Sequence, residues 1–220
     1  MSFLTIYEAA GDAWKSNIGP TINSIPSDAF LAQLDSDGKL EVINQASKEM
    51  AGGLVSENLA VPAGAKFFGL DVVFDVSDED RPHLARCEND LKVTFAGGAQ
   101  ANFSTQWNDD KQMWQLDPTG TSWVDSGYTK PVIAGRNKWQ VRGSFDGVKW
   151  SVTGIAFNND VPFTPDPLKF ANIPAIASSW GSGLHPQLQT EARKAPWFLR
   201  EAYLSVRVIA SDVPIPFIFS

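Results

Sequence analysis

The sequence is poor in the residues that carry most metal and catalytic chemistry. It contains one cysteine, Cys87, and two histidines, His83 and His185. A single cysteine excludes an internal disulfide and a zinc cluster built from several thiolates. No run approaches the ~20 apolar residues that span a bilayer. Residues 1–16 lack the basic start and continuous apolar stretch of a secretion signal. We therefore expect no membrane segment in this chain, and its compartment stays unknown.

Positive charge is also scarce. The 220 residues include 25 acidic and 18 basic side chains, which gives a net charge of −7. An acidic surface repels phosphate backbones and anionic lipid, so we expect neither a nucleic-acid nor a membrane partner. The apolar share of 43% and the charged share of 20% are typical of globular proteins. With no linker or repeat visible, we expect one domain over residues 1–220.

Alternation of apolar and polar residues is the main pattern present. In residues 69–76, Leu70, Val72 and Phe74 share one side of a predicted strand. Further strands are predicted at residues 30–34, 40–43, 90–95, 101–107, 113–117, 122–128, 138–145, 148–153, 184–193 and 199–209. Asp146-Gly147 predicts a hairpin turn. Short helical turns are predicted at residues 6–15, 47–51 and 165–170. The whole pattern predicts an all-β fold, a two-sheet antiparallel sandwich of the jelly-roll type.

The polar face of these strands is rich in amides, carboxylates and guanidinium groups. The plain interpretation is a solvated outer sheet face. The sharper hypothesis is a concave groove for sugars, because such groups bond pairs of hydroxyls and aromatic rings cover the apolar faces of a pyranose. On that hypothesis, the ligand-binding residues are Gln106, Trp107, Gln115, Asp117, Gln140, Arg142, Trp180, Gln187, Gln189 and Glu191.

Catalytic and metal-binding signals are weak. Glycoside hydrolysis needs two carboxyl groups, for which Glu88, Asp90 and Glu191 are the candidates. No Gly-x-Ser-x-Gly elbow, phosphate loop or dinucleotide motif is present. The sequence indicates no cofactor. Residues 78–80 and 158–160 offer the oxygen ligands of a structural calcium ion, although neither segment matches an EF-hand loop.

The C-terminal segment, residues 213–220, is apolar for a terminus (VPIPFIFS). One interpretation is a tail docked on the body of the same molecule. The alternative is a contact with a partner or with a second copy of the chain, which would give a homo-oligomer.

A resemblance to a known superfamily rests on two stretches. Residues 139–165, WQVRGSFDGVKWSVTGIAFNNDVPFTP, resemble a middle hairpin of the concanavalin A-like lectin/glucanase superfamily, and residues 203–209 resemble its closing strand. The resemblance implies a curved jelly roll with its ligand on the concave sheet face. No segment matches the Glu-x-Asp-x-x-Glu strand of the glucanases, and the Arg, Gln/His and Tyr motifs of the alginate-lyase-like members are missing too.

Three functional hypotheses stay open at this point. The first is a lectin-like domain that binds carbohydrate on its polar face. The second is a glycan-active hydrolase or lyase with an unfamiliar set of acid and base groups. The third is a structural protein that assembles through its apolar tail. Fold resemblance alone does not choose between them.

Overall fold

A computed structural model describes residues 4–9, 14–17, 30–34, 40–44, 50–56, 59–109, 113–117, 119, 122–177, 182–192 and 197–218. Their strands form two eight-stranded antiparallel sheets, which we call sheet A and sheet B. In spatial order, sheet A contains β13 (Ile173–Pro174), β12 (Lys149–Phe157), β11 (Gly135–Phe145), β6 (Phe67–Val76), β16 (Trp197–Ser211), β4 (Leu40–Asn44) and β3 (Phe30–Leu34), with β1 (Leu4–Ala9) also paired to β16.

Sheet B contains, in spatial order, β10 (Val124–Tyr128), β9 (Met113–Leu116), β8 (Ala99–Asn108), β7 (Leu84–Thr94), β15 (Gly183–Ala192), β5 (Met50–Ser56) and β2 (Trp14–Asn17), with β14 (Ile176–Ala177) also paired to β8. A 3-10 turn, Arg81–His83, precedes β7, and one short helix, α1 (Pro167–Phe170), follows β12. The chain passes repeatedly from one sheet to the other, as from β6 to β7 and from β15 to β16. The predicted all-β jelly roll is confirmed.

The apolar faces of the two sheets meet in one continuous core. Its largest fully buried side chains are Trp107, Trp139, Trp150, Phe68, Phe74, Phe103, Phe157, Phe170 and Leu70. The sheets approach closely at Gly143, where an added Cβ would lie 2.1 Å from Cε1 of Phe103. Only glycine leaves room for that ring, and the same ring packs edge-on against Trp150 at 5.5 Å. Alternation with period two therefore creates the core.

The hairpin between β11 and β12 shows how local sequence sets the register. Gly147 has a φ of 105°, which glycine adopts without strain. Asp146 accepts hydrogen bonds from the backbone N–H groups of Val148 (2.9 Å) and Lys149 (2.7 Å). The predicted Asp-Gly turn is confirmed. So is the pairing of the predicted strands at residues 30–34 and 40–43, which are β3 and β4.

The helix predicted at residues 6–15 is wrong at its described residues, and of the helix predicted at 47–51 only residues 50–51 are described. Residues 6–15 fall largely within β1 and β2, and residues 50–51 of the predicted helix at 47–51 begin β5. Pairing with β16 and β5 explains the first difference, because ladder hydrogen bonds outweigh a weak local preference for helix. The third predicted helix, at residues 165–170, is confirmed as α1, with the Asp166 side chain accepting from the N–H of Leu168.

The C-terminal segment that follows β16, residues 213–218, lies on the outer face of sheet A. Arg142 donates from Nε and Nη2 to the carbonyl oxygen of Pro216, at 3.1 and 3.0 Å. Gln140 bonds both the N–H (2.9 Å) and the carbonyl oxygen (2.7 Å) of Ile218. The Phe217 ring packs over Gly154 and faces the Arg142 guanidinium at 4.9 Å. The predicted docked tail is thus observed for these residues, and self-assembly through the tail stays a prediction.

Candidate functional site

The outer face of sheet B gathers polar side chains in rows across β7, β8 and β15. In one row, Asp90 stands opposite Ser104 on one side and Gln187 on the other. The neighbouring rows on this face repeat the arrangement: Glu88 with Gln106 and Gln189, and Lys92 with Asn102 and His185. We call these nine residues the polar strip.

The polar strip is largely buried rather than freely solvated. Asp90 is 1% exposed, Gln106 4% and Gln187 9%, whereas Glu88 and Lys92 keep intermediate exposure. Polar groups lose hydration when they are buried and need hydrogen-bond partners in exchange. A largely buried row of amides and carboxylates is therefore suited to exchanging water for the hydroxyl groups of a ligand.

Glu88 and Asp90 lie two residues apart on this face and interact directly. Desolvation raises the pKa of Glu88 well above its usual value, and the neighbouring Asp90 charge raises it further. Burial also raises the pKa of Asp90, although the Lys92 ammonium partly offsets that effect. Both carboxyl groups therefore favour the protonated form more than exposed carboxyl groups do.

One oxygen of this pair has no protein partner. Asp90 Oδ1 is fully buried and makes no hydrogen bond within the described part of the chain. The Lys92 ammonium lies 3.9 Å from the other oxygen, Oδ2. Gln106 donates to Glu88 Oε2 at 3.1 Å, which fixes the Glu88 carboxyl group. Within the described residues, Asp90 Oδ1 is thus an acceptor without a hydrogen bond beside an oxygen, Oδ2, that faces Lys92.

Other polar groups near the strip have structural partners. Glu191 forms an ion pair with Arg86 at 3.1 Å. Asp117 Oδ1 accepts from the backbone N–H groups of Thr119 (3.2 Å) and Ser122 (3.1 Å), so it shapes the loop after β9. Asn102 donates to the backbone carbonyl of Asp117 at 3.0 Å. These contacts hold the edge of the strip in place.

Two predicted ligand residues, Gln140 and Arg142, belong to the opposite side of the molecule. Both lie on the outer face of sheet A, beneath the C-terminal segment, and their side chains are 0% and 3% exposed. Arg142 pairs with Asp71 at 2.5 Å, and Asp71 also accepts from Arg207. Burial lowers the pKa of Arg142, which Asp71 opposes. The expectation of a single face that contains them together with Gln106 is wrong, because alternation does not specify which sheet a strand joins.

The remaining predicted residues fall into three groups. Trp107 is fully buried in the core between the sheets, so its placement on the ligand face is wrong. By strand register, Gln115 stands opposite Gln106 and Gln189 opposite Glu88, which puts both positions on the outer face of sheet B. Trp180 lies outside the described residues. The predicted ligand role of the residues on sheet B stays a prediction.

Oxygen atoms in the segments considered for calcium accept hydrogen bonds from other protein groups. Asp80 accepts from the Ser77 hydroxyl at 2.8 Å, and Asn158 accepts from the N–H of Lys138 at 2.8 Å. Across the described ranges, no three His, Cys, Asp or Glu side chains surround a common metal position. Among the described helices, none has the length and apolar character to cross a membrane.

Solved structures with the same architecture span nearly the whole chain. Peanut lectin with a nine-residue peptide matches with a TM-score of 0.56 and 11% identity, over 96% of this chain and 98% of that one. The carbohydrate recognition domain of Emp47p gives a TM-score of 0.55 and 8% identity, over 94% and 96%. A β-1,3-glucanase from Mycobacterium marinum gives 0.50 and 12%, over 94% and 100%.

The chain has the concanavalin A-like jelly-roll fold. The sequence itself matches no protein-family profile and no curated protein. At identities of 8–12%, the shared architecture is a statement about the fold alone. The jelly-roll fold that the predicted resemblance implies is thus confirmed.

Sequence reasoning did not single out every member of the polar strip as a ligand residue. His185 was missed, although it continues the alternation of Gln187, Gln189 and Glu191 along β15. It is 2% exposed and stands opposite Lys92 in the jelly roll. That alternation in the sequence was the signal that would have identified it.

Proposed function

We propose that this jelly roll binds carbohydrate through the polar strip on the outer face of sheet B. One observation carries the proposal: the buried Asp90 Oδ1 has no hydrogen-bond partner in the described part of the chain. Burying an acceptor without a hydrogen bond costs free energy of folding, so its presence on this face favours a ligand that donates hydrogen bonds. A sugar hydroxyl is such a donor.

The neighbouring groups support a sugar rather than an anion. Glu88 and Asp90 give the centre of the strip acidic character, and Lys92 is the cation beside them. The amides of Gln106 and Gln187 both donate and accept, which suits hydroxyl pairs. Peanut lectin and the Emp47p carbohydrate recognition domain share the fold and are by name a lectin and a carbohydrate-binding domain, which agrees with this proposal.

The test compares two carboxylates on opposite sheets. The wild-type protein is screened on a glycan array, and affinity for the strongest ligand is measured for Asp90→Leu and Asp75→Leu. Asp75 lies on the outer face of sheet A and serves as the control. Losing a hydrogen bond to a charged group costs about 1.5–3 kcal/mol, so we expect Asp90→Leu to weaken binding roughly tenfold or more. Wild type that binds no glycan, or equal affinity in both variants, contradicts the proposal.

The second candidate is a glycan hydrolase, and the adjacent carboxyl groups of Glu88 and Asp90, both with raised pKa, favour it. Glycosidases need one protonated and one ionised carboxyl group, a state that such a pair supplies. One observation speaks against a hydrolase of the glucanase type. Glu88 and Asp90 have the spacing of the first two residues of Glu-x-Asp-x-x-Glu, but the third position is Val93, which is part of the hydrophobic core. New reducing ends that appear with wild type and vanish with Glu88→Gln would establish hydrolysis, whereas unchanged glycans would exclude it.

A further inference from the structure

A cavity of about 520 Å³ opens at one end of the polar strip. Its walls are the loop of residues 60–65, the end of the β7–β8 hairpin at Thr94, Phe95 and Ala96, and the start of β15 at Ser182 and Gly183. These described lining residues include no charged side chain. The cavity therefore favours an apolar group over an ionic one.

The cavity is preformed. Phe95 is fixed by stacking on Phe145, with ring centroids 4.3 Å apart, and by an edge contact with Phe68 at 6.0 Å. The loop wall is anchored by reciprocal backbone bonds between Leu59 and Leu184, at 3.1 and 2.7 Å. A rigid wall means that a bound group pays little ordering cost in the protein.

Strand register connects the cavity to the polar strip. Thr94 and Gly183 line the cavity and face each other across β7 and β15. They are the next row on the same sheet face after Lys92 and His185. Four residues along a strand cover about 13 Å, so the cavity begins about that far from Asp90. A ligand of two sugar rings with one substituent spans that distance.

We infer that this cavity is a subsite for an aryl or acyl substituent attached to a glycan held on the polar strip, an assignment that rests on the proposed carbohydrate binding. The apolar walls exclude water from the substituent, while hydroxyl groups stay on the amides and carboxylates of the strip. The preferred ligand is then a glycan with an apolar group at one end rather than an unsubstituted oligosaccharide.

The experiment compares paired probes by calorimetry: the methyl and p-nitrophenyl glycosides of cellobiose, lactose, maltose and chitobiose. Burial of an aryl ring removes roughly 100 Å² of apolar surface from water, so the aryl form should bind at least about tenfold tighter than the methyl form. Ala63→Trp and Ala96→Trp fill the cavity from opposite walls and should abolish that gain while leaving methyl glycoside affinity unchanged. Val161→Trp, at an exposed apolar position outside the cavity lining, is the control and should keep the gain.

The possible outcomes distinguish failure of the subsite from failure of carbohydrate binding by the polar strip. If both forms of a glycoside bind wild type equally, the subsite is refuted while carbohydrate binding stands. If the aryl gain survives in Ala63→Trp and Ala96→Trp, the aryl group lies elsewhere and the subsite is again refuted. If no probe binds in either form while the glycan array is also blank, carbohydrate binding itself fails. The inference is supported if Ala63→Trp and Ala96→Trp lose the tighter binding of the aryl glycoside and Val161→Trp keeps it.

Discussion

Replacing Arg142 with alanine should destabilise the fold and leave ligand affinity intact. Its guanidinium is 3% exposed and bonds Asp71, Gln140 and the backbone carbonyl of Pro216. Arg142→Ala removes the more buried of the two arginine partners of Asp71 and leaves only the partly exposed Arg207 to neutralise that buried carboxylate. Breaking buried charge pairs costs about 3–5 kcal/mol, and the second arginine reduces this to about 2–4 kcal/mol.

The assay is thermal unfolding, followed by circular dichroism. At about 2–4 °C per kcal/mol for a domain of this size, the melting temperature should fall by roughly 5–15 °C. Arg136→Ala is the matched control, because Arg136 is exposed and lies on the same strand and face. Its melting temperature should stay close to wild type. If both variants melt together, or if Arg142→Ala weakens glycan binding at a temperature where it is folded, the assignment of Arg142 to the fold is refuted.

Two further predictions concern sheet B. The pKa of Glu88 is raised in the folded protein, so the folded state loses stability as the pH rises from the ordinary carboxyl range through the raised pKa. Glutamine does not ionise, so Glu88→Gln should have a higher melting temperature than wild type at pH 8 and the same melting temperature near pH 4. Glu79→Gln, at an exposed position, should show no such trend, and a pH-independent gain would contradict the reasoning. Both side-chain amide atoms of Asn89 are buried and have no hydrogen-bond partner among the described residues, so chemical denaturation should show Asn89→Leu to be neutral or stabilising. Asn102→Leu, which loses bonds to Asp117 and Ser104, should cost about 1–3 kcal/mol. Equal losses in the two leucine variants would show that Asn89 is partnered after all.

Alternation in the sequence predicts most strands and their inward side chains, because a strand has only two faces and one must be apolar. It does not predict which strands share a sheet. Gln140 and Gln106 occupy equivalent polar positions in their own strands, yet they lie on opposite outer faces of the sandwich. That assignment is made by long-range pairing, such as β11 with β6, which leaves no local signal.

The N-terminal strands and the C-terminal segment show the same limit. Residues 4–9 form β1 because β16 offers a pairing edge, and the short sequence alone favoured a helix. The apolar tail predicted a docking segment, but its main hydrogen bonds join backbone groups to Arg142 and Gln140. Backbone groups of any sequence accept such bonds, so composition carries no information about where the segment binds.

NMR spectra of the side-chain amides distinguish a ligand on sheet B from one on sheet A, because Gln106 and Gln187 report on one outer face and Gln140 on the other. The best glycan from the array is titrated into uniformly labelled protein. If the polar strip binds the glycan, the side-chain amide signals of Gln106 and Gln187 should shift progressively with ligand, while the signal of Gln140, beneath the C-terminal segment, should not shift. A shift of Gln140 without shifts of Gln106 and Gln187 would place the ligand on sheet A and contradict the account.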